Sequence, residues 1–136
     1  MTRLAVFASF AGAVLVACMP MAEMPQPEEG RALFAENCAL CHGPSGRGNG
    51  EVARDLGLRP PDLTAIAARN DGTFPRAEVL STIDGYTKRD MPGHDMPEFG
   101  ALLMAETVPV DTGDGVMSPV PRPMAALMIY LESIQK

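Results

Sequence analysis

Aromatic residues are scarce in this chain of 136 residues, which has no tryptophan, two tyrosines and five phenylalanines. An apolar cofactor could supply the core volume that aromatic side chains do not provide. Basic residues are also few, with 11 Lys and Arg against 17 Asp and Glu. This acidic balance argues against nucleic acid as a partner and favours partners with a basic surface. No segment has the alternating pattern of a β-strand, and there is no internal repeat.

The longest apolar run is confined to the N-terminus and is too short to cross a membrane. Leu4 to Ala17 follows a basic start at Arg3, and its roughly 14 residues fall short of the 20 or so that a spanning helix needs. This pattern predicts a secretory signal peptide over residues 1–17. Leu15-Val16-Ala17-Cys18 resembles the lipobox of bacterial lipoproteins. That resemblance implies cleavage before Cys18 and lipidation of this cysteine, with ordinary signal cleavage nearby as the alternative.

The rest of the chain is expected to form one tethered domain. Residues 18–26 are rich in Met and Pro and are predicted to be a lipidated N-terminus and tether. A single small domain is expected over residues 27–136. The expected location is the periplasmic side of a bacterial membrane, lipid-anchored, or the soluble periplasm if Cys18 carries no lipid.

Helical spacing of apolar residues predicts three clear helices. The first runs from Glu28 to about Cys41, and the second runs from Pro75 to Asp84. The third begins near Pro123 and carries an apolar stripe at spacings of three and four. The stripe consists of Met124, Leu127, Met128, Leu131 and Ile134.

Shorter elements are expected between these helices. Residues 51–56 are predicted to form a turn or two of helix, and residues 98–105 a short helix. Residues 59–63 are expected to be extended because of two consecutive prolines. Residues 107–121 contain three prolines and two glycines, which predicts turns in place of a long element.

The sequence Cys38-Ala39-Leu40-Cys41-His42 carries the chemistry. Cys-x-x-Cys-His is typical of covalent haem attachment, in which two thiols form thioethers and the histidine binds the iron. The chain has three cysteines, and an odd number in an exported protein normally leaves one thiol unpaired. Two thioethers and one lipid would account for all of them, so no disulfide is expected.

Two other interpretations of the motif are weaker. A dithiol redox motif would follow a strand in a βαβ context, which the pattern lacks. A structural zinc site needs four ligands, and the available set is Cys38, Cys41, His42 and His94. Adjacent Cys41 and His42 cannot easily reach one metal ion, so this set is poor.

The chain from Glu28 to Lys136 resembles a class I monohaem cytochrome c of the bacterial periplasmic type. The resemblance implies an all-α fold of roughly three to five helices around one haem c, with the first and last helices crossing. Phe34 and Tyr130 lie where such a crossing would pack. It also implies His42 as the proximal ligand, with its second ring nitrogen donating to the carbonyl of Pro60 or Pro61. The segments that carry the resemblance are Gly30-Arg31-Ala32-Leu33-Phe34, Cys38-Ala39-Leu40-Cys41-His42-Gly43, Pro61-Asp62-Leu63, Met96-Pro97-Glu98-Phe99 and Leu127-Met128-Ile129-Tyr130-Leu131.

The distal ligand is a choice among the donors that follow the motif. Met91 and Met96 both precede a proline, but only Met96 is followed by an aromatic residue, as in the family. Met96 is therefore the predicted ligand, with Met91 as its alternative and His94 as another donor. A methionine thioether would raise the reduction potential relative to two histidines.

The predicted function is transfer of single electrons between redox proteins outside the cytoplasm, without enzymatic activity. The expected partners are a dehydrogenase, an oxidase or another cytochrome, and the protein is expected to be a monomer. Two alternatives remain open. The chain could be the cytochrome subunit of an oxidoreductase complex, or a haem-based redox or ligand sensor.

Overall fold

The computed structural model describes residues 23–86 and 96–136. The predicted signal peptide and Cys18 lie outside the described residues, as do Met91 and His94. Within the described ranges the chain forms five α-helices, two short 3-10 helices and one two-stranded antiparallel sheet. The α-helices are α1 Pro27–Asn37, α2 Ala39–His42, α3 Glu51–Asp55, α4 Arg76–Asp84 and α5 Arg122–Ser133. The 3-10 helices are Leu63–Ala65 and Ala67–Asn70, and the strands are β1 Thr107–Asp111 and β2 Met117–Pro121.

The first helix is shorter than the sequence predicts and is followed by a separate turn. α1 begins at Pro27, whose missing N–H costs nothing at this position. It ends at Cys38, where φ is −117° and ψ is −31°. Cys38 closes α1 through its N–H bond to the Phe34 carbonyl and precedes α2. The prediction of one continuous helix to Cys41 is therefore wrong, because the helix is interrupted at Cys38. The helical spacing of apolar residues does not reveal this break.

The core lies where α1 packs against α5. Phe34 is 2 % exposed, and its ring centroid lies 5.4 Å from that of Tyr130 at an interplanar angle of 52°. A Cβ added to Gly30 would lie 2.0 Å from the Ala126 carbonyl oxygen, so only glycine permits this approach of the two backbones. This packing agrees with the expected contact between the first and last helices.

The predicted helices over residues 51–56, over residues 75–84 and from about residue 123 onward are confirmed. α4 buries Val79, Leu80 and Ile83 and ends at Gly85, whose φ of 94° is the left-handed conformation that favours glycine. In α5 the predicted stripe faces the core, since Met124, Leu127, Met128 and Leu131 are all buried. α3 matches the expected short helix after residue 50.

Two predictions are wrong between Phe99 and Arg122. Residues 100–103 form a turn and no helix, because Leu103 N–H bonds the Phe99 carbonyl and the pattern goes no further. Residues 107–121 form a β-hairpin in place of irregular turns, so the fold is mostly helical but not all-α. The prolines explain the error. Pro109 pairs with Pro119 directly across the hairpin. Because neither proline has a backbone N–H to donate, the two must form a non-hydrogen-bonded pair of the antiparallel sheet.

The hairpin has an inner and an outer face. Val108, Val110 and Val120 point into the core, with exposed fractions between 1 and 7 %. Pro109 and Pro119 are exposed on the other face. The alternation is present in the sequence, although the prolines that fill the outer positions obscure it.

Arg122, at the start of α5, ties the N-terminal segment to the domain. Its guanidinium bonds both carboxylate oxygens of Glu29 at 3.0 Å and the Glu23 carbonyl at 2.6 Å. Its backbone N–H bonds the Glu106 carbonyl at 2.9 Å. Pro25 is buried, so residues 23–26 lie against the domain. In residues 23–86 and 96–136 no helix is long and apolar enough to cross a membrane.

Candidate functional site

A single helical turn brings the three motif residues together. The Cys38 carbonyl accepts hydrogen bonds from the backbone N–H groups of Cys41, at 3.2 Å, and His42, at 2.9 Å. Both cysteines are free thiols and half-buried. Cys38 also packs against the core that contains Phe34. The turn therefore presents two thiols and one imidazole at the edge of the core.

The environment of Cys38 favours a neutral sulfur. Burial, with a further contribution from the neighbouring Cys41, raises the pKa of the Cys38 thiol from 9.0 to about 11. A redox-active dithiol or a metal-binding thiolate needs the opposite shift, because the thiolate is the reactive form. The site therefore suits a neutral thioether better than a nucleophile or a zinc ligand.

His42 is buried, with 8 % of its surface exposed. Burial lowers the pKa of the imidazole, and the backbone of Pro61 acts in the opposite direction. Because proline has no N–H, this contact is made by the Pro61 carbonyl. Nδ1 is fully enclosed yet makes no hydrogen bond of ordinary length and angle. A carbonyl at an enclosed imidazole fits a histidine whose second nitrogen serves as a metal ligand.

The glycine-rich loop after the motif, formed by residues 43–50, holds α2 in place. Gly48 N–H bonds the His42 carbonyl at 2.8 Å, and Gly50 N–H bonds the Cys41 carbonyl at 3.1 Å. A Cβ on Gly48 would lie 2.1 Å from the Pro60 carbonyl oxygen, and one on Gly50 would lie 2.2 Å from that of Leu40. The loop is therefore in backbone contact with both α2 and the proline segment.

Gly48 and Gly50 are not among the site residues that the sequence predicts. Their contacts in the structure are to backbone atoms of α2 and of the proline segment. In the sequence, Gly48 and Gly50 are distinguished only by their position, since Gly46, Gly48 and Gly50 occur at every second residue. The Gly46 carbonyl accepts from Leu63 N–H at 2.7 Å, which completes the link between the loop and the proline segment.

The described methionines differ sharply in burial. Met96 is half-buried, in a segment without regular secondary structure before the turn at residues 100–103. Met104 and Met117 are 71 % and 67 % exposed, and Met117 begins β2. Met124 and Met128 belong to the buried face of α5. Among the described methionines that follow the motif, Met96 is thus the one that is neither core nor fully exposed.

The family model for cytochrome c matches residues 27–108, which is more than half of the chain. The chain therefore belongs to the cytochrome c family. A search of curated proteins finds no match. The matched range contains the motif turn, the glycine-rich loop, α4 and Met96, and it ends where the hairpin begins.

Family membership confirms the predicted cofactor. Members bind haem c covalently, and Cys38, Cys41 and His42 fit the family's Cys-x-x-Cys-His motif. The residues present suit this group, since the enclosed Nδ1 and the raised pKa of Cys38 both favour a neutral, desolvated attachment site. The function that follows is haem-based electron transfer, and members of the family are typically electron carriers and not enzymes.

Proposed function

We propose that the protein is a class I monohaem cytochrome c that carries single electrons between redox proteins outside the cytoplasm. Cys38 and Cys41 hold the haem, His42 is the proximal ligand and Met96 is the distal ligand. The observation that carries the proposal is the buried His42 imidazole, with an enclosed Nδ1 and the Pro61 carbonyl beside the ring. When bound, the haem supplies a reversible one-electron Fe(II)/Fe(III) couple.

Each residue of the proposed site has a separate task. Two thioethers fix the cofactor, so that it does not dissociate when the redox state changes. The Pro61 carbonyl orients the His42 ring and increases its basicity as a ligand. The thioether of Met96 favours the reduced state and raises the potential. With His42 and Met96 both bound to the iron, no coordination position would be open to a substrate, which suits a carrier.

The distal assignment is supported by the surroundings of the methionines. A ligand must be close enough to the core to reach the cofactor, yet must not be part of the packed helix interface. Met96 meets both conditions among the described methionines after the motif. Met91 is the alternative and lies outside the described residues.

Attachment to the membrane is proposed on the sequence alone. A lipobox-like tetrapeptide ends in Cys18, and lipidation would use the one cysteine that the haem does not. An anchored monomer on the periplasmic side would stay close to a membrane-bound dehydrogenase, oxidase or second cytochrome. Mass spectrometry of the mature N-terminus tests this part, and an unlipidated start beyond Cys18 would refute it.

The attachment site is tested by replacing the thiols one at a time. Cys38→Ser and Cys41→Ser should each lose full covalent attachment, measured as haem retained on the polypeptide in a denaturing gel. Cys18→Ser is the matched control, because it removes the third cysteine and should keep both thioethers. Undiminished haem retention in the Cys38 and Cys41 variants would contradict the proposed site.

The distal ligand is tested by the potential and by the far-red absorption band that is typical of methionine bound to ferric haem. Met96→Ala should remove the band and lower the reduction potential. Met104→Ala, which changes an exposed methionine, should alter neither. If Met91→Ala has these effects and Met96→Ala does not, the ligand is Met91. Ready carbon monoxide binding by the ferrous protein would instead favour an open iron site and an enzyme.

A further inference from the structure

The segment that follows Met96 is bonded to the C-terminal end of α4. Phe99 N–H donates to the Ile83 carbonyl at 3.1 Å, and Gly100 N–H donates to the Asp84 carbonyl at 3.3 Å. The last carbonyls of a helix have no partner within the helix, so they are free to accept such bonds. We call this contact, formed by residues 83–85 with residues 98–100, the α4 clasp.

Two glycines make the clasp possible. A Cβ on Gly100 would lie 2.3 Å from Asp84 Oδ1 and 2.9 Å from the Asp84 carbonyl oxygen. A Cβ on Gly85 would lie 2.3 Å from Glu98 Cγ. Both glycines are buried. The two chain segments therefore approach more closely than any pair of residues with side chains would allow.

The clasp is fixed to the core on both of its sides. Ile83 is 7 % exposed and belongs to the core through α4. On the other side, Phe99 packs against the same core, and its carbonyl accepts from Leu103 N–H at 2.9 Å. Leu103 is 4 % exposed. Movement of the clasp would therefore disturb buried apolar contacts.

Met96 is connected to the clasp by a short, stiff link. Only Pro97 and Glu98 separate it from the anchored Phe99, a distance of at most about 10 Å along the chain. Proline fixes φ at position 97, and the residue before a proline is confined to extended conformations. The clasp thus determines where the Met96 backbone lies, because the two linking residues have little conformational freedom.

We propose that the α4 clasp positions Met96 as the distal ligand, with Gly100 as its positioning residue. The inference rests on the proposed His42 and Met96 ligation. The clasp lowers the fraction of molecules in which Met96 is released from the iron, because a methionine that leaves the iron remains on a short link to a fixed anchor. Weakening the clasp should therefore let an added ligand replace Met96 more easily.

Imidazole titration of the ferric holoprotein measures this directly, through loss of the far-red band. An added ligand that binds only when Met96 is released has an apparent affinity proportional to the released fraction. In Gly100→Ala we expect the apparent imidazole dissociation constant to fall roughly tenfold, equivalent to about 1.4 kcal/mol. Haem retention in denaturing gels should be unchanged, since Cys38 and Cys41 are not touched.

The matched control is Gly72→Ala. Gly72 has a φ of +82°, and a Cβ there would meet nothing within 4 Å. Alanine at this position adds backbone strain and no contact, so it should lower overall stability and leave the imidazole dissociation constant unchanged. An equal change in both variants would mean that Gly100 acts only through stability, which would overturn the inference.

A second variant and a second measurement cover the case in which Gly100→Ala does not fold. Asp84→Ala combined with Gly100→Ala removes the contact to Oδ1 and keeps the one to the backbone oxygen, so its imidazole dissociation constant should lie below that of the wild type. Where Gly100→Ala alone folds, the double variant should lie between it and the wild type. In the wild type, imidazole binding should speed hydrogen exchange at the Phe99 and Gly100 amides, because coupling is reciprocal. Unchanged exchange at both amides would overturn the inference.

The outcomes separate the two proposals. A far-red band that is absent from the wild type, or that persists in Met96→Ala, refutes Met96 as the ligand. The positioning role of the clasp is then refuted as well, because it depends on that ligand. A band that depends on Met96, together with wild-type imidazole affinity in Gly100→Ala, refutes only the positioning role of the clasp.

Discussion

The two sides of the proposed haem site differ in how far apart along the chain their supporting residues lie. On the proximal side, Cys38 to His42, the glycine-rich loop and the segment Pro60–Pro61–Asp62–Leu63 form one group of local contacts, within about 25 residues. On the distal side, the proposed position of Met96 depends on the α4 clasp, which joins residues 83–85 to residues 98–100. The proximal side is thus defined largely by one motif, whereas the distal side requires a contact between separate elements.

This difference determines what a mutation can reach. A change within the proximal group should alter the orientation of His42 and leave the distal ligand in place. A change in the α4 clasp should have the opposite effect. A change in the core between α1 and α5 should affect both sides together, since α2 follows α1 directly and α4 packs against α5.

Phe34→Ala is expected to have the largest effect on stability, and it should weaken the proximal and distal sides together. Phe34 is 2 % exposed, packs against Tyr130 and approaches the glycine-rich loop near Gly46. Truncating a buried phenylalanine costs about 3–5 kcal/mol of unfolding free energy. Chemical denaturation of the holoprotein, followed by circular dichroism, measures this loss. The far-red band and the circular dichroism signal should disappear in a single transition.

The control for Phe34→Ala is Leu102→Ala, which truncates an apolar side chain that is 67 % exposed and should cost little. Two separate transitions in Phe34→Ala, with the far-red band lost well before the helices, would show that the core does not couple the two sides.

Gly48→Ala should have an intermediate effect that is confined to the proximal side. Its φ is +76°, and a Cβ would lie 2.1 Å from the Pro60 carbonyl oxygen. Overpacking of this kind costs about 1–3 kcal/mol, and the displaced proline segment carries the carbonyl beside His42. We expect a shifted reduction potential and altered His42 ring resonances, with unchanged imidazole affinity at the distal side.

Gly57→Ala is the matched control for Gly48→Ala. Its φ of +67° imposes the same kind of backbone strain, but a Cβ there would meet nothing within 4 Å. A smaller destabilisation, from backbone strain alone, is expected, without a shift in the reduction potential. A potential shift of equal size in both variants would indicate strain alone and would contradict a specific contact at Pro60.

The sequence predicts local features better than contacts between separate elements, for a physical reason. Cysteine and histidine spacing, helical periodicity and a stop at Gly85 are all local properties, so the motif, α4 and α5 were predicted correctly. The break at Cys38 changes the backbone at one residue and leaves the apolar spacing intact, which is why one helix was expected where there are two. A turn in place of the helix at 98–105 was missed because Gly100 is fixed by Asp84, a residue distant in sequence.

The hairpin was missed for a different reason. Proline and glycine counts over residues 107–121 predict turns, but the position of each proline matters more than the number. Pro109 and Pro119 lie opposite each other, where neither strand needs a donor, while Val108, Val110 and Val120 alternate with them and face the core. A pattern read at every second residue would have indicated the two strands.

Asp62→Asn should have the smallest effect, and it sharpens the comparison within the proximal group. The Asp62 carboxylate accepts from Thr64 N–H at 2.8 Å and from Thr64 Oγ1 at 2.7 Å, which caps the 3-10 helix that follows Pro61. These hydrogen bonds lower the pKa of Asp62 from its ordinary value of 3.8. A lowered pKa in the folded state means that the unfolded chain binds the proton more readily, so the contribution is complete above 3.8 and is lost as the pH falls through the folded pKa.

Asparagine retains an accepting oxygen and loses the charge, so Asp62→Asn should lower the denaturation midpoint only slightly at neutral pH. The difference from the wild type should vanish below the folded pKa of Asp62, where the wild-type carboxyl is also neutral. Asp55→Asn, at the exposed end of α3, is the control for removing one negative charge. A difference between Asp62→Asn and wild type that persists at acid pH would mean that the amide fails to cap the helix. In that case the potential should shift as in Gly48→Ala, because the cap and the Pro61 carbonyl belong to one short segment.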